Sequence, residues 1–92
     1  MVLTVDRGSR TVTHEGRVVF VSRCEFEILQ ALLDRPGTPV SRMQLRERLY
    51  GEREPGILGN PVQVHVHNLR TKLGGGVIRT LRGVGYVIER AL

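Results

Sequence analysis

Apolar residues recur at helical spacing in the stretch from residue 60 to residue 73, NPVQVHVHNLRTKL. At 100° per residue, four of them fall within a sector about 60° wide, as expected for a helix that rests one face on a core. These four are Val62, Val66, Leu69 and Leu73. The spacing therefore predicts an amphipathic helix over residues 60–73.

The opposite arc of this predicted helix carries side chains that donate, accept or offer a small apolar contact. They are Asn60, Val64, His67, Asn68 and Thr71. Arg70 and Lys72 lie on the two flanks between the arcs. This pattern is typical of base-reading side chains bracketed by phosphate contacts, but an ordinary amphipathic surface helix shares it. The other predicted elements and the distribution of charge along the chain distinguish these two interpretations.

Two earlier helices are marked by capping boxes, in which a Ser side chain and a Glu or Gln three residues later bond each other's backbone. Ser22 with Glu25 opens the first, and Pro36 ends it because proline cannot extend a helix. Ser41 with Gln44 opens the second. The predicted helices span residues 22–35 and 41–50.

The third helix has a weaker start, with Asn60 as the predicted N-cap and Pro61 at the first helical position, where its missing N–H does no harm. An N-cap side chain is already bonded to backbone, so we rank capping ahead of base contact for Asn60. Residues 51–59 before it form a nine-residue stretch with three Gly and one Pro. Loops of this length in compact domains tend to be functional.

Short runs of β-prone residues flank the helices and predict an α+β fold. An N-terminal antiparallel sheet of three strands is expected within residues 1–21. After the Gly74–Gly76 run, a β-hairpin is expected over residues 77–89, with Arg82 near its exposed tip. Together these elements predict one domain over residues 1–92, because the chain is too short for two.

The composition excludes several classes of protein. One cysteine, Cys24, rules out a disulfide framework and zinc fingers built on cysteine pairs, and no apolar run approaches the length of a membrane helix. His65 and His67 point about 200° apart on a helix and cannot share a metal. The pair Gly83 and Gly85 lacks the third glycine of a dinucleotide-binding motif. We expect a cytoplasmic protein that is not an enzyme and binds no cofactor or metal.

The net charge of +5 is concentrated in the last third of the chain. Residues 1–59 carry nine Arg against eight acidic residues, a balance of +1, whereas residues 60–92 have a balance of +4. The charged side chains of this last third are Arg70, Lys72, Arg79, Arg82 and Arg90, with Glu89 as the single acid. Cations gathered beside one helix favour a polyanion as partner.

The order of sheet, three helices and Arg-tipped hairpin resembles the winged-helix DNA-binding domain of OmpR/PhoB-type bacterial response regulators, over essentially the whole chain. The residues that carry this resemblance are Ser22, Glu25 and Phe26; Pro36 and Gly37; Val40, Ser41, Arg42, Gln44 and Leu45; Val62, Val64, His65 and Val66; Leu69, Arg70, Lys72 and Leu73; Arg79 and Thr80; and Arg82 to Tyr86. The amino-acid sequence of residues 65–70 most resembles that of the QseB/PmrA-like branch of the family. Gln63, in place of the usual acid, and Pro61 depart from the family pattern.

The resemblance implies sequence-specific binding of double-stranded promoter DNA and control of transcription in a two-component system. Residues implied near bases in the major groove are Asn60, Val64, His67 and Asn68. Residues implied on the DNA backbone are Arg42, Arg70, Thr71, Lys72 and Thr80. Arg82 in the wing is implied in or near the minor groove. The loop implied to contact RNA polymerase includes Glu52, Arg53, Glu54, Ile57 and Leu58.

Within the base-facing set, Val64 and Asn68 rank first. An exposed valine can make an apolar contact with the methyl group of thymine. An asparagine can form two hydrogen bonds with adenine, which is worth ~1 to 3 kcal/mol of discrimination between bases. A solvated Asn68 is the competing interpretation, and His67 is more suited to phosphate than to base.

The resemblance also implies DNA sites made of direct repeats and homodimers on DNA. It implies a receiver domain in cis as well, and these residues do not contain that domain. The alternative function is a winged-helix protein-interaction module without DNA specificity.

Overall fold

The computed structural model describes residues 3–51 and 61–89. Within these ranges three strands, three helices and two further strands follow one another in the expected order. They are β1 (Leu3–Asp6), β2 (Thr11–His14), β3 (Arg17–Val19), α1 (Arg23–Asp34), α2 (Arg42–Tyr50), α3 (Val62–Leu73), β4 (Arg79–Leu81) and β5 (Gly85–Val87). The predicted α+β architecture is confirmed.

The N-terminal sheet is antiparallel, in the order β1-β2-β3. Leu3 and Val12 point from it into the core, while Val18 on β3 is exposed, so the sheet covers the helices with one face. The third strand ends at Val19, two residues before the predicted end of the sheet at residue 21. The next residue, Phe20, is 86% exposed and contributes nothing to the core.

Both predicted capping boxes are present. The Ser22 hydroxyl accepts from the Glu25 N–H at 3.1 Å, and the Glu25 carboxylate accepts from the Ser22 N–H at 3.0 Å. Ser41 and Gln44 repeat the arrangement at 3.1 and 2.9 Å. The serines are the caps themselves, and α1 and α2 begin at Arg23 and Arg42, as the capping boxes predict; the ranges 22–35 and 41–50 include the caps.

The start of α3 corrects the prediction made for Asn60 and Pro61. Pro61 is the N-cap, with φ −63° and ψ 157°, and the helix begins at Val62. Its extended ψ keeps Pro61 out of the helix, although its carbonyl accepts from the Val64 N–H at 3.0 Å. Asn60 lies outside the described residues. Pro61 offers no side-chain acceptor, so this helix start has no side-chain capping bond.

The core lies between the helices and includes Leu3 and Val12 of the N-terminal sheet and Tyr86 of the hairpin. The apolar stripe of α3 is buried as predicted, with Val62, Val66, Leu69 and Leu73 all 3% exposed or less. Fully buried side chains from the other elements include Ile28, Leu29 and Leu32 of α1, Leu45 of α2, and Ile78 and Ile88 beside the hairpin strands.

The β4–β5 hairpin confirms the predicted hairpin, with shorter strands than the range 77–89. Its second strand also bonds to the segment before α2: the N–H of Val40 donates to Tyr86 at 2.8 Å, and the N–H of Tyr86 donates to Val40 at 2.9 Å. Gly85 makes this approach possible, because a Cβ there would lie 2.1 Å from the Val40 carbonyl oxygen. The hairpin is thus joined to the start of α2.

Candidate nucleic-acid interface

The outer arc of α3 is a surface of mixed chemistry. Val64 is 38% exposed, His67 and Thr71 are exposed, and Asn68 is half-buried. The Thr71 hydroxyl donates to the His67 carbonyl at 3.1 Å, which leaves its oxygen lone pairs free to accept. Four residues predicted to read or contact DNA therefore share one accessible face of one helix.

A buried histidine on one flank holds α3 to α2. His65 is 8% exposed, and its Nε2 lies 3.1 Å from the hydroxyl of Tyr50, the last residue of α2. His65 is therefore bonded within the protein. This hydrogen bond joins the first half of α3 to the end of the preceding helix.

Lys72 holds the other end of α3 to the start of α1. Its Nζ donates to the Glu25 carboxylate at 2.5 Å, and the Glu25 side chain is 5% exposed. Burial alone would raise the pKa of Glu25, but the hydrogen bonds from Lys72 and from the Ser22 backbone, with the charges of Lys72 and His65, outweigh it and lower the pKa. The ammonium group predicted on DNA phosphate is therefore engaged inside the domain.

Arg70 extends from the opposite flank of α3 to the hairpin. Its Nε and Nη2 donate to the Ile78 carbonyl at 3.1 and 2.8 Å, and Nη2 also donates to the Thr80 hydroxyl at 2.6 Å. The guanidinium lies 5.8 Å from the ring centroid of Tyr86. Arg70 and Thr80, both predicted on the DNA backbone, are bonded to each other.

Exposed arginines lie on the elements beside α3. Arg42 is the first residue of α2, and Arg82 lies in the hairpin turn; both are exposed. Together with Arg46 they line a groove of about 910 Å³ between the starts of α2 and α3 and the hairpin. Met43 and Val84, which are 69% and 55% exposed, also line this groove.

Arg46 was not selected as a site residue from the sequence. Its spacing of four from Arg42 on α2 places both on one helical face, and that spacing was the signal that could have found it. Arg48 of the same helix is turned elsewhere, where it donates to Glu27 at 3.2 Å and lies 3.6 Å from Asp34.

The remaining predicted site residues fall outside the described part of the chain. They are Asn60 and the loop residues Glu52, Arg53, Glu54, Ile57 and Leu58. Within residues 3–51 and 61–89, no three His, Cys, Asp or Glu side chains are grouped so that they could hold a metal ion. Among the helices of those same ranges, none has the length and apolar content needed to cross a bilayer.

Comparison with known proteins identifies a family and several relatives for this chain. Residues 16–88 match the family described as transcriptional regulatory protein, C terminal. The response regulator protein PmrA of Pseudomonas aeruginosa is 41% identical over 88 residues, 96% of this chain and 39% of PmrA. The transcriptional regulatory protein QseB of Escherichia coli O157:H7 is 38% identical over 84 residues, 91% of this chain and 38% of QseB. The chain thus spans about two fifths of the length of these relatives.

Solved structures of the same kind share the fold. The RstA DNA-binding domain of Klebsiella pneumoniae, crystallised with the RstA box, is 30% identical with a TM-score of 0.80, over 96% of this chain and 91% of that one. The DNA-binding domain of CpxR from E. coli is 30% identical with a TM-score of 0.78, over 94% and 88%. The chain belongs to the family of transcriptional regulatory protein C-terminal domains, the winged-helix effector domains of OmpR/PhoB-type response regulators.

Proposed function

We propose that this domain binds double-stranded DNA in a sequence-specific way and controls transcription as the effector part of a two-component response regulator. The observation that carries the proposal is the accessible arc of α3 beside an exposed arginine on the hairpin turn. An α-helix fits the major groove of B-DNA, and a flanking hairpin reaches the neighbouring minor groove. The RstA relative that was crystallised with its DNA box supports this assignment.

Base readout in this proposal falls to three residues of the arc. Asn68 can donate to and accept from adenine, and Val64 offers its methyl groups to thymine. His67, on the same face, contacts either a base edge or a nearby phosphate. Asn60 is proposed at the edge of this set, before the described start of α3.

The DNA backbone is proposed to contact side chains on three elements. Arg42 at the start of α2, Thr71 on α3 and Thr80 on β4 are exposed and can bond phosphate oxygens. Arg82 enters or borders the minor groove. Lys72 contributes less to DNA binding than the sequence suggested, because its ammonium already neutralises a buried carboxylate.

The full-length protein is proposed to bind direct repeats as a homodimer in the cytoplasm, with a receiver domain in cis. The greater length of the PmrA and QseB relatives supports a further domain. Residues 51–59 are proposed to contact RNA polymerase. The isolated domain is expected to be largely monomeric and to bind a half-site weakly.

Selection from random duplex DNA tests the base-reading part of the proposal. The wild-type domain should enrich one motif, and Asn68→Ala should lose preference at one position of it, by ~1 to 3 kcal/mol. Val18→Ala is the control, because Val18 is exposed on β3 of the N-terminal sheet and is not among the proposed DNA contacts. It should leave the motif unchanged. A wild type that enriches no motif, and whose partner binding survives high salt, would instead identify a protein-interaction module.

The hairpin assignment is tested by the salt dependence of binding. Arg82→Ala should lower the slope of log affinity against log salt by about 0.9, the value for one neutralised phosphate. Arg79→Ala serves as control, because Arg79 in the same hairpin lies 2.7 Å from Glu89 and its charge is already paired. Equal slopes for wild type and Arg82→Ala would remove Arg82 from the interface.

A further inference from the structure

Arg70 has a position that neither base readout nor phosphate binding requires. Its guanidinium leaves the flank of α3 and bonds to the hairpin instead of lying on the exposed arc. We propose that Arg70 is a positioning residue, which fixes the hairpin at a set angle to the recognition helix so that both reach DNA together. Its effect on DNA binding rests on the function proposed above.

The first anchor point of Arg70 is the residue immediately before β4. Two guanidinium nitrogens donate to the carbonyl of Ile78, whose own side chain is 1% exposed and fixed in the core. The third hydrogen bond reaches Thr80, in the middle of β4. Because the guanidinium is a rigid planar fork, donation to Ile78 just before β4 and to Thr80 within it fixes the direction of that strand as well as its distance from α3.

The second anchor point is on the other strand of the hairpin. Tyr86 of β5 is paired with Thr80 across the sheet, and its ring lies 5.8 Å from the Arg70 guanidinium carbon. A cation over an aromatic face is attracted by the ring quadrupole. Arg70 therefore contacts both strands at the same level of the ladder.

This arrangement continues into α2. Tyr86 exchanges two backbone hydrogen bonds with Val40, which lies two residues before Arg42. Arg70, Tyr86 and Val40 form a continuous contact from the recognition helix, through the hairpin, to the segment that carries Arg42. Displacing the hairpin would move the two exposed arginines, Arg42 and Arg82, relative to the arc of α3.

The charge of Arg70 and its geometry make opposite demands on a substitution. If Arg70 acted only as a phosphate contact, a cation would be enough, and Arg70→Lys would preserve most of the affinity and the salt slope. A fixed hairpin needs the planar fork, which a single ammonium cannot supply. We expect Arg70→Lys and Arg70→Met to lose affinity for the selected DNA site to a similar degree, roughly tenfold, the equivalent of one lost charge-assisted hydrogen bond.

The decisive measurement on the free protein is amide hydrogen exchange. In Arg70→Lys and Arg70→Met, the β4–β5 amides should exchange at least about tenfold faster, while the β1–β2 amides of the same molecules keep their wild-type rates. Thr80→Val, which removes one acceptor and no charge, should accelerate the same hairpin amides. Unchanged hairpin exchange in these variants would overturn the proposal, and so would equal acceleration in both sheets, since that reports global destabilisation.

The matching measurement on DNA is a double-mutant cycle. Arg82→Ala should cost less affinity in the Arg70→Met background than in wild type, because the hairpin is no longer held where Arg82 can act. Additive losses, or a salt slope lowered by about 0.9 in Arg70→Met, would identify Arg70 as an independent phosphate contact. If the wild type selects no DNA, the proposed function fails, whereas the exchange result still decides whether Arg70 fixes the hairpin.

Discussion

A Gly85→Ala variant should lose about 3 kcal/mol or more of its free energy of unfolding. Gly85 has φ +153°, and an added Cβ would lie 2.1 Å from the Val40 carbonyl oxygen and 2.8 Å from the Ser41 Cα. These are backbone atoms, so no rotamer change can relieve the overlap. The substitution therefore separates the hairpin from the start of α2, or unfolds the domain.

Gly83→Ala is the matched control for this effect. Gly83 lies in the same hairpin at φ +77°, but no heavy atom outside its neighbours lies within 4 Å of an added Cβ. Gly83→Ala should lower the free energy of unfolding by about 1 to 2 kcal/mol, the cost of placing an alanine in the left-handed conformation. Urea denaturation of both variants measures the difference, and equal losses would show that the approach of Gly85 to Val40 does not limit stability.

Lys72→Met should destabilise the domain by about 1 to 3 kcal/mol near neutral pH. The substitution keeps most of the aliphatic side chain but removes the hydrogen bond to the buried Glu25 carboxylate. The ammonium side chain is 35% exposed, so solvent screening places the effect below that of a fully buried pair. Arg79→Met is the control, since Arg79 and Glu89 form an exposed pair that should contribute little.

The loss in Lys72→Met should depend on pH with a definite sign. Burial raises the pKa of Glu25, but Lys72 and the Ser22 N–H more than offset this, so the folded pKa lies below the ordinary value of 4.5. A lowered pKa stabilises the folded state above the unfolded pKa, and this stability is lost as pH falls through the folded pKa. The gap between wild type and variant should thus be full at pH 7 and shrink below about pH 4.5. A gap that is constant with pH would exclude Glu25 as its source.

Features of this fold that depend on residues close together in the sequence could be predicted from the sequence. The capping boxes of Ser22 and Ser41 and the buried stripe of α3 follow from spacings of three and four residues, and the structure has both. The cap of α3 was misplaced by one residue. Proline fixes φ but leaves ψ open, so Pro61 could equally be the cap or the first helical residue.

The partners of Arg70 and Lys72 could not be predicted, because they depend on how elements distant in sequence pack. On a helical wheel both lie on flanks, from which a long side chain can reach either solvent or a neighbouring element. Glu25 lies far from Lys72 along the chain and meets it only because α1 packs against α3. The exposure of Val64, His67 and Thr71 needs no distant partner, so it could be predicted from helical spacing alone.

The hydrogen bonds between Val40 and Tyr86 have a consequence for the way the domain forms during synthesis. The segment that leads into α2 pairs with a strand that the ribosome makes only after α3 is complete. Contacts between residues so far apart in the chain form late, because a large loop must close before they are made. The pairing that holds the start of α2 is therefore complete only when the last strand of the hairpin has been made.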